Sequence, residues 1–151
     1  MKVILLRGIS GSGKSTYTTS LVKGMKKVEY RICSVDNYFM NNGEYTFNPR
    51  LLDKAHRDCF CDFRIALERR VDLVIVDNTN TRLYELSPYV MTAKVNMRKN
   101  DTLEIIRLNC SVALAFDRNI HGVSYGSVDN MKKRMEALPS YWLTEKIIQT
   151  N

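Results

Sequence analysis

Short unbroken apolar runs recur along the chain, separated by longer stretches in which apolar residues fall three or four positions apart. The first pattern marks strands buried on both faces, and the second marks amphipathic helices. Val3-Ile4-Leu5-Leu6, Tyr30 to Val35, Val71 to Val76 and Leu103 to Leu108 are the expected strands. Between them, Tyr17, Leu21, Val22 and Met25 keep helical spacing, and Lys23 to Lys27 read as a frayed basic helix end suited to the negative end of the helix dipole. Leu51, Leu52, Ala55, Cys59, Phe63, Ala66 and Leu67 predict a long second helix, with Asn48 as its cap and Pro49 in its first turn. Its polar face carries Arg50, Lys54, His56, Arg57 and Arg64.

Residues 40–48 read as a loop. From Thr81 to Lys99 the period is helical, but Ser87-Pro88 predicts a short helix, a break or kink, and a second helix through Val90, Ala93 and Met97. Ser111 is the expected cap of a helix running from Val112 to about Asn119, and Gly122 and Gly126 bracket a flexible segment. Val128, Met131, Met135 and Leu138 share one face of a last helix ending at Pro139, with Lys132, Lys133 and Arg134 outside it. Tyr141-Trp142-Leu143, Ile147 and Ile148 then fold back over the core. Strands alternating with helices predict an α/β fold with a mainly parallel sheet of four to five strands flanked by helices.

Chemistry enters between the first strand and the first helix. Gly8-Ile9-Ser10-Gly11-Ser12-Gly13-Lys14-Ser15-Thr16 has the P-loop spacing, in which backbone N–H groups line a concavity around phosphate. Gly8, Ser10, Gly11, Ser12, Gly13 and Thr16 are the expected cradle, with Lys14 on the β- and γ-phosphates and the Ser15 hydroxyl on Mg²⁺. Asp36 and Asp77 both follow a strand, and ligands gather beyond strand carboxyl ends. Asp77 suits the Walker-B role as a second metal ligand, with a turn-capping aspartate as the competing reading. Asp36 suits a general base taking the proton of an attacking hydroxyl, with a structural cap for Tyr38-Phe39 as its competitor.

Composition narrows the partners. With 23 Lys and Arg against 16 Asp and Glu, the net charge of +7 favours an anionic partner without fixing which. The length suits one domain, residues 1–151. Four cysteines with no secretory signal suggest reduced thiols, and His56, Cys59 and Cys61 match no common zinc spacing. No apolar stretch approaches a membrane span, so the expected setting is cytoplasmic.

The residues resemble the polynucleotide 5'-hydroxyl kinases and their stand-alone kinase domains. The likeness runs through the P-loop, Asp36-Asn37-Tyr38, Gly43 to Pro49, Asp77-Asn78-Thr79-Asn80, and Arg118-Asn119-Ile120-His121-Gly122-Val123 with the Met131 to Met135 helix. It implies a P-loop kinase fold with a helical lid over about residues 111–137, and transfer of the γ-phosphate of ATP or another NTP to a 5'-hydroxyl of DNA or RNA, with Mg²⁺, in nucleic acid repair. Asp36 matches the family's base, and Arg118 lies in its lid as a catalytic and ATP-binding residue. Tyr38, Asn78, Thr79 and Asn80 join the acceptor side on this likeness. Two arginines of the family's pattern are replaced here, by Phe39 and Gly122, and Arg57, Arg82 and His121 are the candidates to supply the acceptor clamp. No Asp-x-Asp-x-Thr phosphatase motif occurs. Tyr45, Phe47 and Tyr84 are available for base stacking. Two other readings stay open: a P-loop kinase for a nucleoside or other small metabolite, and a non-catalytic ATP-binding module.

Overall fold

The computed structural model describes residues 1–150. In chain order its elements are β1 (Lys2–Arg7), α1 (Lys14–Val22), β2 (Tyr30–Cys33), α2 (Asp36–Phe39), β3 (Met40–Asn41), β4 (Glu44–Tyr45), a 3-10 turn (Pro49–Leu51), α3 (Leu52–Glu68), β5 (Leu73–Val76), α4 (Leu83–Asn96), β6 (Thr102–Asn109), α5 (Val112–Asp117), α6 (Tyr125–Lys133) and β7 (Glu145–Gln149).

Five strands form one parallel sheet in the order β2-β5-β1-β6-β7, and β3 with β4 makes a separate antiparallel hairpin. The two most apolar runs, β1 and β5, lie side by side at the centre, as strands covered on both faces must. One face of the sheet packs Val3, Leu5, Val74 and Val76 against Ala55, Phe63, Leu86 and Val90 of α3 and α4. The other packs Ile4, Leu6 and Ile75 against Tyr17, Leu21, Val22 and Met25 on and just beyond α1. A fully buried Leu or Phe in such a layer contributes roughly 1.5–3 kcal/mol. Among the described residues no helix is long and apolar enough to cross a membrane.

Local chemistry accounts for most boundaries. The Asn48 side chain accepts from the Arg50 N–H at 3.0 Å, and Ser111 caps α5 through the Leu114 N–H at 3.2 Å. Three expectations are corrected. Helix α4 is continuous through Pro88, which forfeits one ladder bond in the second turn while Leu86, Tyr89, Val90 and Ala93 are all buried. The stretch expected to fold back does cover the core, with Trp142, Leu143 and Ile148 packed on it, and the correction is only that it ends in β7, an edge strand in register with β6 from Ile105 against Glu145 to Asn109 against Gln149. Residues 40–45 are not loop alone but the β3–β4 hairpin, closed by Gly43 at φ 87°.

The last helix is also shorter than expected. It ends at Lys133, Gly126 lies inside its first turn, and two of its basic residues are tied down rather than solvated. Lys132 Nζ donates to Asn109 Oδ1 at 2.5 Å and the Cys110 carbonyl at 3.0 Å, and Arg134 Nε donates to Thr81 Oγ1 at 3.0 Å. The segment before it is pinned by Asn119, whose Nδ2 donates to the Val123 carbonyl at 2.7 Å and whose Oδ1 accepts the His121 N–H at 3.0 Å.

Candidate active site

Because all five strands run the same way, the loops after β1, β2, β5 and β6 meet at one edge of the sheet. They enclose a cleft of about 1510 Å³. Lys14, Asp36, Asp77, Arg118 and His121 all line it, so residues far apart in sequence share one space.

At the base of the cleft the loop of residues 8–14 is held by backbone form and close packing. Gly13 caps α1 at φ 90°, and a Cβ at Gly11 (φ 79°) would stand 1.8 Å from the Ala115 carbonyl oxygen of α5. The Lys14 ammonium donates to the Gly8 and Ile9 carbonyls at 3.1 and 3.0 Å. Burial pulls its pKa below the usual lysine value, against the opposing pull of Asp77 and Asp36. Asp77 is also buried, and burial pushes its carboxyl up while Lys14, the Ser15 hydroxyl and Thr18 oppose. Thr18 Oγ1 stands 3.4 Å from Asp77 Oδ2. An incoming polyanion with its cation would offset the cost of both charges.

The Ser15 hydroxyl and the Asp77 carboxylate both line the cleft and offer only oxygen donors. Mg²⁺ favours such a set, taking one or two protein oxygens and completing its shell with phosphate and water. Among the described residues no three His, Cys, Asp or Glu side chains converge on one point.

Asp36 begins α2 at the carboxyl end of β2, with its side chain half exposed to the cleft. Two groups face it. The Tyr45 hydroxyl donates to Oδ1 at 3.0 Å, and His121 Nε2 lies 3.7 Å from Oδ2. The Tyr45 and His121 rings are 4.3 Å apart. Burial, then the Asp36 charge and the hydrogen bond, push the Tyr45 phenol above its usual value, so it remains a donor. Tyr45 reaches this position through the hairpin, because Thr46 N–H donates to the Phe39 carbonyl at 2.8 Å and the Phe39 ring packs against Phe47 and Tyr45 at 5.1 and 6.2 Å.

Past Asp36 the cleft continues between α3 and α4. Arg57, His56, Phe60 and Pro88 line it there, with Tyr84 and Phe47 exposed at its edges. At the opposite end it is bounded by Tyr17, Arg118, Ile148 and Thr150.

Most residues singled out from the sequence meet in this cleft, and several do not. Ser10, Gly11, Gly13, Lys14, Ser15, Thr16, Asp36, Arg57, Asp77, Asn78, Thr79, Arg118 and His121 border it. Gly8 and Ser12 lie behind the loop, where a Cβ on Gly8 would meet Ser12 Oγ at 2.4 Å. Asn80 is turned inward at φ 44°, its Nδ2 donating to the Leu6 carbonyl at 2.8 Å, and so serves β1 instead of an acceptor. Arg82 faces Glu136 at 4.0 Å, outside the cleft. Tyr38 packs beside Phe39 with Lys54 Nζ 5.6 Å from its ring, also outside the cleft wall. Phe39 is itself buried, so this position is a wedge under the hairpin.

Two contributors were invisible in the sequence. Arg7, the last residue of β1, is fully buried and donates to the Asn80, Thr81 and Glu136 carbonyls at 2.8, 3.3 and 2.8 Å and to Glu145 at 2.7 Å. It thereby ties the loop after β5, the chain after α6 and β7 to one point. Thr150 Oγ1 donates to the Ser12 carbonyl at 3.1 Å, bracing the phosphate loop from the far end of the chain. A charge ending a strand and a polar tail carry no signal for either role.

Parallel sheet, phosphate loop and acidic strand ends together define the P-loop kinase fold, a fold that binds nucleotide with Mg²⁺. The chain belongs to the AAA_33 family (AAA domain), whose model matches residues 3–138. It is 33% identical over 149 residues to human NEDD4-binding protein 2, aligning 91% of its own length but only 8% of that much longer protein. Among solved structures it resembles a chain of the Pnkp1/Rnl/Hen1 RNA repair complex (TM-score 0.69, 16% identity, 89% of this chain and 43% of that one). It also resembles a gluconokinase from Sinorhizobium meliloti 1021 (TM-score 0.62, 16% identity, 98% of this chain and 82% of that one).

Proposed function

We propose that the chain is an ATP-dependent polynucleotide 5'-hydroxyl kinase, with residues 1–151 as one kinase domain and residues 111–137 as its lid. The observation that carries this reading is the shape of the cleft beyond Asp36. The whole cleft, donor end included, is about 1510 Å³, above the roughly 300–1,000 Å³ of one small-molecule site and roomy enough for a nucleotide with a second ligand beside it. Its acceptor end is edged by Tyr84 at 71% and Phe47 at 51% exposure, with Arg57 between α3 and α4. Exposed aromatics beside a cation suit stacked bases and a phosphodiester backbone. The net charge of +7 favours the same partner.

In this reading ATP lies on the phosphate loop, and Lys14 exchanges its two backbone carbonyls for phosphate oxygens. Ser15 and Asp77 would hold Mg²⁺, which would supply positive charge to neutralise the phosphates. Asp36 Oδ2 or Oδ1 takes the proton of the acceptor 5'-hydroxyl as its oxygen bonds to the γ-phosphorus and the bond to the bridging oxygen of ADP breaks. Tyr45 holds the Asp36 carboxylate in place by donating to it. Arg118 serves the donor from the lid and Arg57 and His121 serve the acceptor's next phosphate, a division supported by their all lining the cleft. The likeness to an RNA repair complex supports this acceptor class.

The likeness to a gluconokinase, which spans nearly the whole chain, favours a small-metabolite acceptor as the second reading. One experiment separates the two, with γ-labelled ATP and Mg²⁺ offered to 5'-hydroxyl DNA, 5'-hydroxyl RNA, nucleosides and gluconate. Label on the strands at low salt, falling steeply as salt rises, is the expected result. Label on nucleosides or gluconate alone selects the metabolite reading, and label on nothing selects an ATP-binding module.

A further inference from the structure

Arg7 and Arg107 are register partners in β1 and β6, so two guanidinium groups leave the same face of neighbouring parallel strands. A single carboxylate serves both, with Glu145 oxygens 2.7 Å from Arg7 Nη1 and 3.4 Å from Arg107 Nε. Arg7 completes its fork with backbone carbonyls. The Arg107 side chain has its Nε buried with no acceptor in hydrogen-bond geometry among the described residues.

Beside Arg107 lies a second cavity of about 280 Å³, lined by Ile9, Asn109, Cys110, Lys132 and Met135 as well. Of its walls only Leu108 is shared with the large cleft. Lys132 enters from α6, and both of its acceptors, Asn109 Oδ1 and the Cys110 carbonyl, are neutral. Among the described residues no carboxylate lines the cavity. Two cations, Arg107 and Lys132, therefore line the cavity, and the one carboxylate paired with Arg107, Glu145, is shared with Arg7. Partly buried like charges are costly without a counter-ion, and an ammonium has three donors of which Lys132 spends two. Water takes about 30 Å³, so the volume admits a tetrahedral oxyanion with part of its hydration.

We propose that this cavity binds a phosphate-class oxyanion, free or as the terminal group of a phosphate ester, held between Arg107 of β6 and Lys132 of α6. The anion joins α6 to the strand end beside Ile9, which follows Gly8 in the phosphate loop. Its binding therefore sets how firmly α6 sits against that loop.

The test is amide NMR on the full chain with the large cleft saturated by a non-hydrolysable ATP analogue and Mg²⁺. Inorganic phosphate is titrated in one arm and glycerol phosphate in the other. Saturable shifts at the Asn109, Cys110 and Lys132 amides are expected, in the phosphate arm alone for a free-ion site and in both arms for an ester site. Lys132→Met leaves the Glu145 pairs intact and lowers the affinity roughly tenfold or more. Arg107→Met acts in the same direction. Shifts confined to residues 8–16, no saturable shift in either arm, or unchanged affinity in Lys132→Met overturns the proposal.

Discussion

Tyr45 donates its hydroxyl to Asp36 Oδ1 at 3.0 Å from a hairpin nine residues further along the chain. The hairpin stands on the buried Phe39 ring, so Phe39 is what steadies the carboxylate's donor. Tyr45→Phe removes one hydrogen bond without emptying the core. We expect kcat for phosphate transfer to fall about tenfold with the KM for ATP unchanged, measured by steady-state kinetics on a 5'-hydroxyl oligonucleotide. An equal change in both parameters contradicts a positioning role.

Arg7 is fully buried and joins four partners, so removing it leaves Glu145 Oε1 and three carbonyls without their donor, with only Arg107 still beside the carboxylate. Arg7→Met is expected to cost about 3–5 kcal/mol, read from urea unfolding midpoints. Arg7→Lys should lose most of that too, because an ammonium cannot reproduce the planar fork. A loss under 1 kcal/mol for Arg7→Met, at the scale of about 1 kcal/mol set by one hydrogen bond, contradicts its role as the junction.

Gly11 packs against α5 at a backbone conformation that side chains avoid. Gly11→Ala forces its methyl into the Ala115 carbonyl and adds left-handed strain. The expected loss is roughly 1–3 kcal/mol of stability, together with weaker nucleotide binding, measured by unfolding and by titration of a fluorescent ATP analogue. Gly24 has a positive φ but open space around it, and Gly24→Ala should cost only the backbone strain.

Burial, then Cys59 and Asp62, push the Cys33 thiol from 9.0 up to about 12, with Arg31 opposing. The folded chain therefore keeps a proton that the unfolded chain releases, and stability falls as pH rises from 9.0 toward about 12. Cys33→Ala should show a shallower decline over that window in urea midpoints. An unchanged pH slope contradicts the burial argument.

The strands and the chemistry closest to them were legible because a continuous apolar run and a nine-residue phosphate loop are local signals. β1, β5 and β6 and the placement of Asp36 and Asp77 follow from them. Pro88 misled because a proline's local cost is outweighed here by the four buried residues of α4 around it. β7 was missed because an edge strand, Glu145-Lys146-Ile147-Ile148-Gln149, is half solvated and shows no clean period. Asn80 and Tyr38 were assigned to the acceptor by likeness, and Arg82 as a substitute for a missing arginine, while their neighbours Leu6, Lys54 and Glu136 are distant in sequence. The same distance hid the hold of Tyr45 on Asp36 and of Thr150 on Ser12.

The central claim is that Asp36 takes the acceptor's proton beside a nucleotide held on the phosphate loop. Asp36→Asn keeps the shape of the carboxylate and removes its basicity. Single-turnover transfer from γ-labelled ATP to a 5'-hydroxyl oligonucleotide should fall at least about a hundredfold, with ATP affinity within twofold of the unaltered chain, roughly the scatter of such measurements. Lys14→Ala is the control that should weaken both. Undiminished transfer by the Asp36 variant contradicts the account.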